Sequence, residues 1–255
     1  MDPESVTRRK AIGLAMLIWI LVLVFSAVAG VVQAAFNLTV IQQIAVFDTA
    51  LSIAGFLLLS YFGWWRSAGY LSTGRIRQYA MFIPPAAIAF VSFSESPAIP
   101  DLSAICGFAL LALLIGFAEE TTFRGLIQNA LLPLGAKTAV LFSAFLFGVP
   151  HLLNALGGIW DPVFAVADTV AAFGIGVSFA ALRFRTGTIW PLIGIHALID
   201  LSAFIALGGL EVPSQSAVTL LVNVLVGAGL GAYGLYLIRR CDGNPEAGCR
   251  ISSAE

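Results

Sequence analysis

Charge is what this sequence has least of. Of 255 residues only 13 are Lys or Arg and 14 are Asp or Glu, or 11% in all, whereas 59% are hydrophobic and the mean hydropathy is +0.95. Soluble domains run nearer about 25% charged, so most of this chain has lipid for its solvent. That excludes a disordered chain, a coiled coil and a secreted disulfide scaffold. The few cations form no continuous basic stripe and the net charge is -1, so no nucleic-acid partner is expected. Three cysteines are too few for a framework: Cys106 sits in an apolar run, while Cys241 and Cys249 lie in the polar tail, where free thiols or a palmitoylated Cys241 are the plausible states.

What is present is a series of apolar runs long enough to cross about 30 Å of hydrocarbon. Strong runs cover Ala11–Val32, Ile44–Trp65, Leu102–Ala118, Ala139–Leu156, Pro162–Leu182, Ile189–Leu207 and Val218–Ile238. A shorter one, Tyr79–Phe93, carries Pro84-Pro85, which a membrane helix accepts only where neighbours or water satisfy the freed carbonyls. The expected fold class is therefore all-α, a polytopic membrane protein of about eight transmembrane helices. It divides into N-terminal spans over residues 1–101, a motif-bearing core over 102–207 and a last span with its tail over 208–255.

The cations support this count. Arg8, Arg9, Lys10, Arg66, Arg75, Arg77, Lys137, Arg183, Arg185, Arg239, Arg240 and Arg250 all fall on one side of an eight-span topology, and Glu95, Asp101, Asp161 and Glu211 fall on the other. Basic loops stay in the cytoplasm, so both termini are placed there and the chain in a cell membrane. Trp64, Trp65, Trp160 and Trp190 fall near the expected interfaces. The first run also imitates a signal peptide, with Arg8-Arg9-Lys10 before it and Ala27-Val28-Ala29 as a cleavage site, but the apolar stretch continues past that site and favours a retained span.

Ionisable residues inside spans are costly and need a partner or a task. Both histidines, His151 and His196, are of this kind, together with Glu119, Glu120, Arg124 and Asp200; only Asp48 and Asp168 are further buried acids. Residues four apart share a helix face, so Glu120 stacks with Arg124 and His196 with Asp200, while Glu119 projects elsewhere. A neutralised Glu120–Arg124 pair has a structural reading; the extra carboxylate of Glu119 has none and is assigned to chemistry. Asp200 can accept from His196 and fix its tautomer, an arrangement equally useful for a metal ligand, a proton relay or an oxyanion stabiliser. Phe147 and His151 form another such pair, and Pro150 deprives the carbonyl of Leu146 of its donor, which would open the backbone there to water or a ligand. At about 1.5 Å per residue, Glu119, His151 and His196 reach depths of roughly 12–21 Å and can converge.

The pattern Glu119-Glu120-x-x-x-Arg124, Phe147-x-x-x-His151 and His196-x-x-x-Asp200 resembles the three motifs of the CAAX prenyl protease 2 and bacteriocin-processing family of intramembrane proteases, also called CPBP or Abi. The resemblance spans about a third of the chain. It implies peptide-bond hydrolysis within or beside the bilayer, in a cavity open to the cytoplasm. Glu119 would be the general base assisted by His151, His196 and Asp200 would stabilise the oxyanion, and Glu120 and Arg124 would support them. Asp200 stands where many relatives have Asn, which leaves it either protonated or orienting His196. No cofactor is required on this reading, although His151, His196 and Glu119 make an acceptable zinc set. Expected partners are membrane lipid and a peptide or protein substrate, whether prenylated, as in eukaryotic members, or membrane-anchored, as suits a chain whose Arg-rich, Lys-poor composition points to a bacterial plasma membrane. The rival readings are a proton- or metal-coupled transporter, which would need Asp48 and Asp168 where a protease would not, and a non-catalytic scaffold or immunity protein. Gly227-x-Gly229-x-Gly231 is a candidate surface for close helix packing.

Overall fold

The computed structural model describes residues 3–94, 100–156, 160–206 and 216–242, and the described residues contain helices and turns but no strand. Cys249, Arg250, Glu95 and Glu211, and the side chain of Cys241, lie outside the described residues, so the tail-thiol reading and part of the charge count lie there too. The helices are α1 (Pro3–Phe36), α2 (Val40–Phe62), α3 (Ile83–Ser94), α4 (Leu102–Glu120), α5 (Gln128–Leu131), α6 (Ala136–Gly148), α7 (Leu153–Leu156), α8 (Pro162–Thr186), α9 (Trp190–Ala206) and α10 (Ala217–Asp242).

Among the described residues, five helical stretches are long and apolar enough to span a membrane: Thr7–Phe36, Val40–Phe62, Leu102–Leu134, Pro162–Thr186 and Ala217–Arg239. Two more, Ala136–Leu152 and Trp190–Ala206, are shorter. The expectation of about eight full spans is thus met only in part. The stretch Tyr79–Phe93 is not one helix: a 3-10 segment covers Ile76–Phe82 and α3 starts at Ile83, with twelve residues. Pro84 and Pro85 therefore occupy the first turn, where the missing N–H groups would have no intrahelical partner in any case.

The polarity is that of a multi-pass membrane protein. Leu17, Ile53, Phe90, Leu110 and Val218 face outward, while Asp48, Glu120, Arg124, Arg183 and His196 are buried. Helix α8 is the central strut, with 61% of its apolar window buried against 17–22% for the other four long stretches. Its neighbours come close because small residues meet there. A Cβ on Gly174 would overlap the carbonyl of Gly227, and one on Gly227 would lie 2.6 Å from the carbonyl oxygen of Val170. The glycine run of α10 is thus largely consumed by packing against α8 within one chain. Gly229 alone faces open space. Gly174→Val is expected to prise α10 from α8 at a cost of at least about 1–3 kcal/mol, visible as a lower Tm in detergent, whereas Gly229→Ala should leave Tm nearly unchanged.

Arg183, in the last turn of α8, is buried. It is 3% exposed, donates from Nε to the carbonyl of Ala68 at 2.9 Å and from Nη2 to that of Ser67, and so pins the segment after α2 against the end of α8. Gly69, at φ +87°, is required there, since a Cβ would lie 2.8 Å from the guanidinium carbon. Tyr70 follows and is buried, with its hydroxyl hydrogen-bonded to Thr121 and its carbonyl accepting from Trp190 Nε1 at 3.0 Å. Burial pushes the Tyr70 hydroxyl up to about 12, so it stays a neutral hydrogen-bonding group.

Candidate active site

The continuation of α4 is a π-helix over Thr121–Ile127, every residue of which is buried. Such wide turns are rare and concentrate at functional sites. Here the widened backbone is satisfied from outside. The Phe123 carbonyl accepts from the Gln128 amide and from Ser143 Oγ at 2.8 Å, and Gln128 Nε2 reaches across to the carbonyl of Ala180 on α8 at 2.8 Å. The segment carrying Glu119, Glu120 and Arg124 is in this way fastened to α6 and α8.

Within it, Glu120 and Arg124 form a fully buried pair, with Nη1 2.9 Å from Oε1. The guanidinium lies 4.2 Å from the centroid of the Phe147 ring and 5.5 Å from that of Phe179. Cation–π contact thus supplements its one carboxylate partner, which explains the aromatic residue four before His151. Phe147 also packs edge-on against both histidines, with ring centroids 5.6 Å from His151 and 6.1 Å from His196.

His196 is the centre of the carboxylate cluster. Its Nδ1 lies 2.8 Å from Glu120 Oε1, and its Nε2 lies 3.4 Å from Glu119 Oε2 and 3.7 Å from Asp200 Oδ2. The side chain that orients the ring is therefore Glu120, and the Asp200 separation exceeds hydrogen-bond length. Asp200 Oδ2 is buried without a hydrogen-bond partner. The close approach of α9 to α4 that permits this depends on Gly116, where a Cβ would lie 2.9 Å from the carbonyl oxygen of Ile193. Glu119, with 22% of its side chain exposed, remains reachable, unlike Glu120 at 0%.

His151 occupies the 3-10 turn Val149–Leu152 that Pro150 forces at the end of α6. Its Nδ1 lies 2.7 Å from Asp168 Oδ2 on α8. With Nδ1–H donating to that carboxylate, Nε2 is left as the free basic nitrogen. The Leu146 carbonyl freed by Pro150 is not open to water or ligand: the Trp19 indole on α1 donates to it at 2.8 Å. Trp19→Phe should therefore cost about 1–3 kcal/mol of stability, read as a fall in Tm, because that buried carbonyl loses its donor.

Three residues now matter that the motifs did not mark. Asp168 carried one signal, an acid in an apolar span. Asp48, 2% exposed with Oδ1 unpartnered, stands in electrostatic range of Glu119, Asp200 and His196. Trp19 had no sequence signal at all. The 2.7 Å contact with His151 gives Asp168 a partner within this site. Among the described residues no three His, Cys, Asp or Glu side chains gather as a ligand group.

Comparison with known families bears on this same stretch. Residues 101–202 match the family described as type II CAAX prenyl endopeptidase Rce1-like. This segment is Rce1-like. The match begins at the N-cap of α4 and ends in α9, so it takes in all three motifs and the Glu119–Asp200 cluster, and it supports a peptidase of the CAAX type. No curated protein and no solved structure matches the chain. Helices α1 and α2, outside the Rce1-like stretch, nevertheless supply Trp19 and Asp48 to its surroundings.

Proposed function

We propose that this protein is a glutamate-type intramembrane endopeptidase in which Glu119 and the Asp168–His151 dyad activate water. The observation that supports it most is the pairing of one reachable carboxylate, Glu119, with an imidazole already oriented by its own acid, inside the Rce1-like segment. Glu119 takes a proton from water as its oxygen attacks the carbonyl carbon of the scissile bond. His196, held through Nδ1 by Glu120, and Asp200 border the developing oxyanion. As the tetrahedral intermediate collapses the C–N bond breaks, and the proton passes by way of His151 Nε2 to the departing amine. Arg124 and Phe147 hold Glu120 and the two rings in register. No step uses a metal ion or other cofactor.

The substrate class is a peptide or protein segment presented from the membrane, prenylated or otherwise anchored, with the cavity facing the cytoplasm and both termini on that side. The test uses the purified protein in detergent with a panel of quenched membrane peptides that includes a prenylated CAAX peptide, with and without a chelator. Cleavage that His151→Ala abolishes and a chelator leaves unchanged is the expected result. Cleavage indifferent to His151→Ala, or abolished by the chelator, overturns the mechanism. Asp168→Asn keeps the shape but removes the charge that fixes the His151 tautomer, and is expected to lower kcat about 10–100-fold at unchanged Tm.

A further inference from the structure

Among the described residues, Asp48 is the buried acid that the peptidase mechanism leaves unused. It comes from α2, outside the Rce1-like segment, on the face that also buries Leu51, Gly55 and Leu59. That face sets its depth. A Cβ on Gly55 would lie 2.8 Å from Thr121 Cγ2, and Ile44 and Ala45 pack on the cluster that holds Leu111, Ala112 and Ile115, so α2 runs parallel to α4. Counting back from the Gly55–Thr121 contact, Asp48 stands about level with Leu114. Helix α9 runs the other way, because Phe204 meets Phe108 with ring centroids 5.7 Å apart while a Cβ on Gly116 would lie 2.9 Å from the carbonyl oxygen of Ile193. Asp200 is then about level with Ala112, so the two aspartates lie within ~3 Å of one another along the helix axes. They are also in electrostatic range of each other.

Four carboxyls meet at this depth, those of Asp48, Glu119, Glu120 and Asp200, but only two cationic groups, Arg124 and His196. His151 has its own acid in Asp168, and α1, which also packs on α2, carries no ionisable residue after Lys10. Arg124 and His196 both contact Glu120, and His196 is also the neighbour of Glu119. Asp48 Oδ1 and Asp200 Oδ2 are each buried without a hydrogen-bond partner. Two such oxygens are costly to bury as anions, whereas one proton between them gives each a partner.

We infer that Asp48 is a positioning residue of this site, sharing one proton with Asp200. Its consequence for catalysis rests on the peptidase reading. Asp200 is 3.7 Å from His196 Nε2, too far to orient that ring, and an ionised Asp200 would repel the oxyanion it borders. The shared proton lets Asp200 offer an O–H to that oxyanion instead, as a carboxylic acid kept neutral can.

The full-length wild type, Asp48→Asn, Asp200→Asn and the double variant are compared in detergent by infrared spectroscopy and by kcat on a membrane peptide. The wild type is expected to show the carbonyl stretch of a protonated carboxylic acid, removed or shifted by either single substitution. Asp48→Asn should lower kcat about tenfold or more where Asp200 is present and change it little where Asp200 is already Asn, since that amide donates without a borrowed proton. A purely structural Asp48 would give falls that add. Additive falls, an undiminished kcat in Asp48→Asn, or an acid band indifferent to both substitutions overturns the inference. A wild type that shows the shared acid band but cleaves no peptide upholds the shared proton and counts against the peptidase reading alone.

Discussion

Glu119→Gln is expected to lower peptide cleavage by about 10²–10⁴-fold while leaving the fold intact, because it removes the partly exposed carboxylate of the Glu119–Glu120 pair, whose contact with His196 is the longer one. The glutamine is isosteric, and its neighbour His196 lies 3.4 Å away and keeps its shorter 2.8 Å contact with Glu120. The adjacent substitution should behave differently. Glu120→Gln strikes the Arg124 pair and the His196 anchor together, so it should cost activity and stability at once. Measuring kcat and Tm for both variants separates the two roles: loss of kcat alone identifies the reacting carboxylate, and loss of both identifies the scaffold. Equal falls in Tm would show that Glu119 also holds the helix.

Arg124→Ala should be the most destabilising single change in the site, at about 3–5 kcal/mol. Both members of the pair are 0% exposed, and removing the cation leaves Glu120 as an uncompensated charge among Phe147, Phe179 and His196. The truncation also leaves a void against two aromatic rings. Arg124→Lys should recover only part of the loss, because an ammonium lacks the planar face that meets Phe147 at 4.2 Å. The check is thermal unfolding in detergent across wild type, Arg124→Lys and Arg124→Ala, with Tm falling in that order. An Arg124→Ala protein as stable as wild type would remove the pair from the account.

The site was legible in the sequence where its geometry is local. Spacings of four on single helices put Glu120 over Arg124 and His196 near Asp200, and the cost of burying charge singled out all six motif residues. What escaped is what depends on contact between helices. The i,i+4 rule gave His196 to Asp200, but a glutamate arriving from α4 stands closer, at 2.8 Å against 3.7 Å. The freed Leu146 carbonyl was visible from Pro150, yet its donor sits 127 residues away on α1. Asp168 was noticed as a buried acid and assigned to a rival transport path; its contact with His151 accounts for it without one. The span count is met only in part, for a related reason. Hydropathy marks apolar runs, but Pro84-Pro85 lie in the first turn of a helix with twelve described residues, and α6 ends early in the 3-10 turn that shapes the site.

The most direct test of the central claim is to identify the acyl product when the wild-type protein cleaves a membrane peptide in the presence of hydroxylamine. Water activated by Glu119 attacks the carbonyl itself, so the account expects a free carboxylic acid, no hydroxamate, and no product from a folded Glu119→Gln protein. A hydroxamate, which reports an acyl-enzyme intermediate, or cleavage at the wild-type rate by Glu119→Gln, would contradict it.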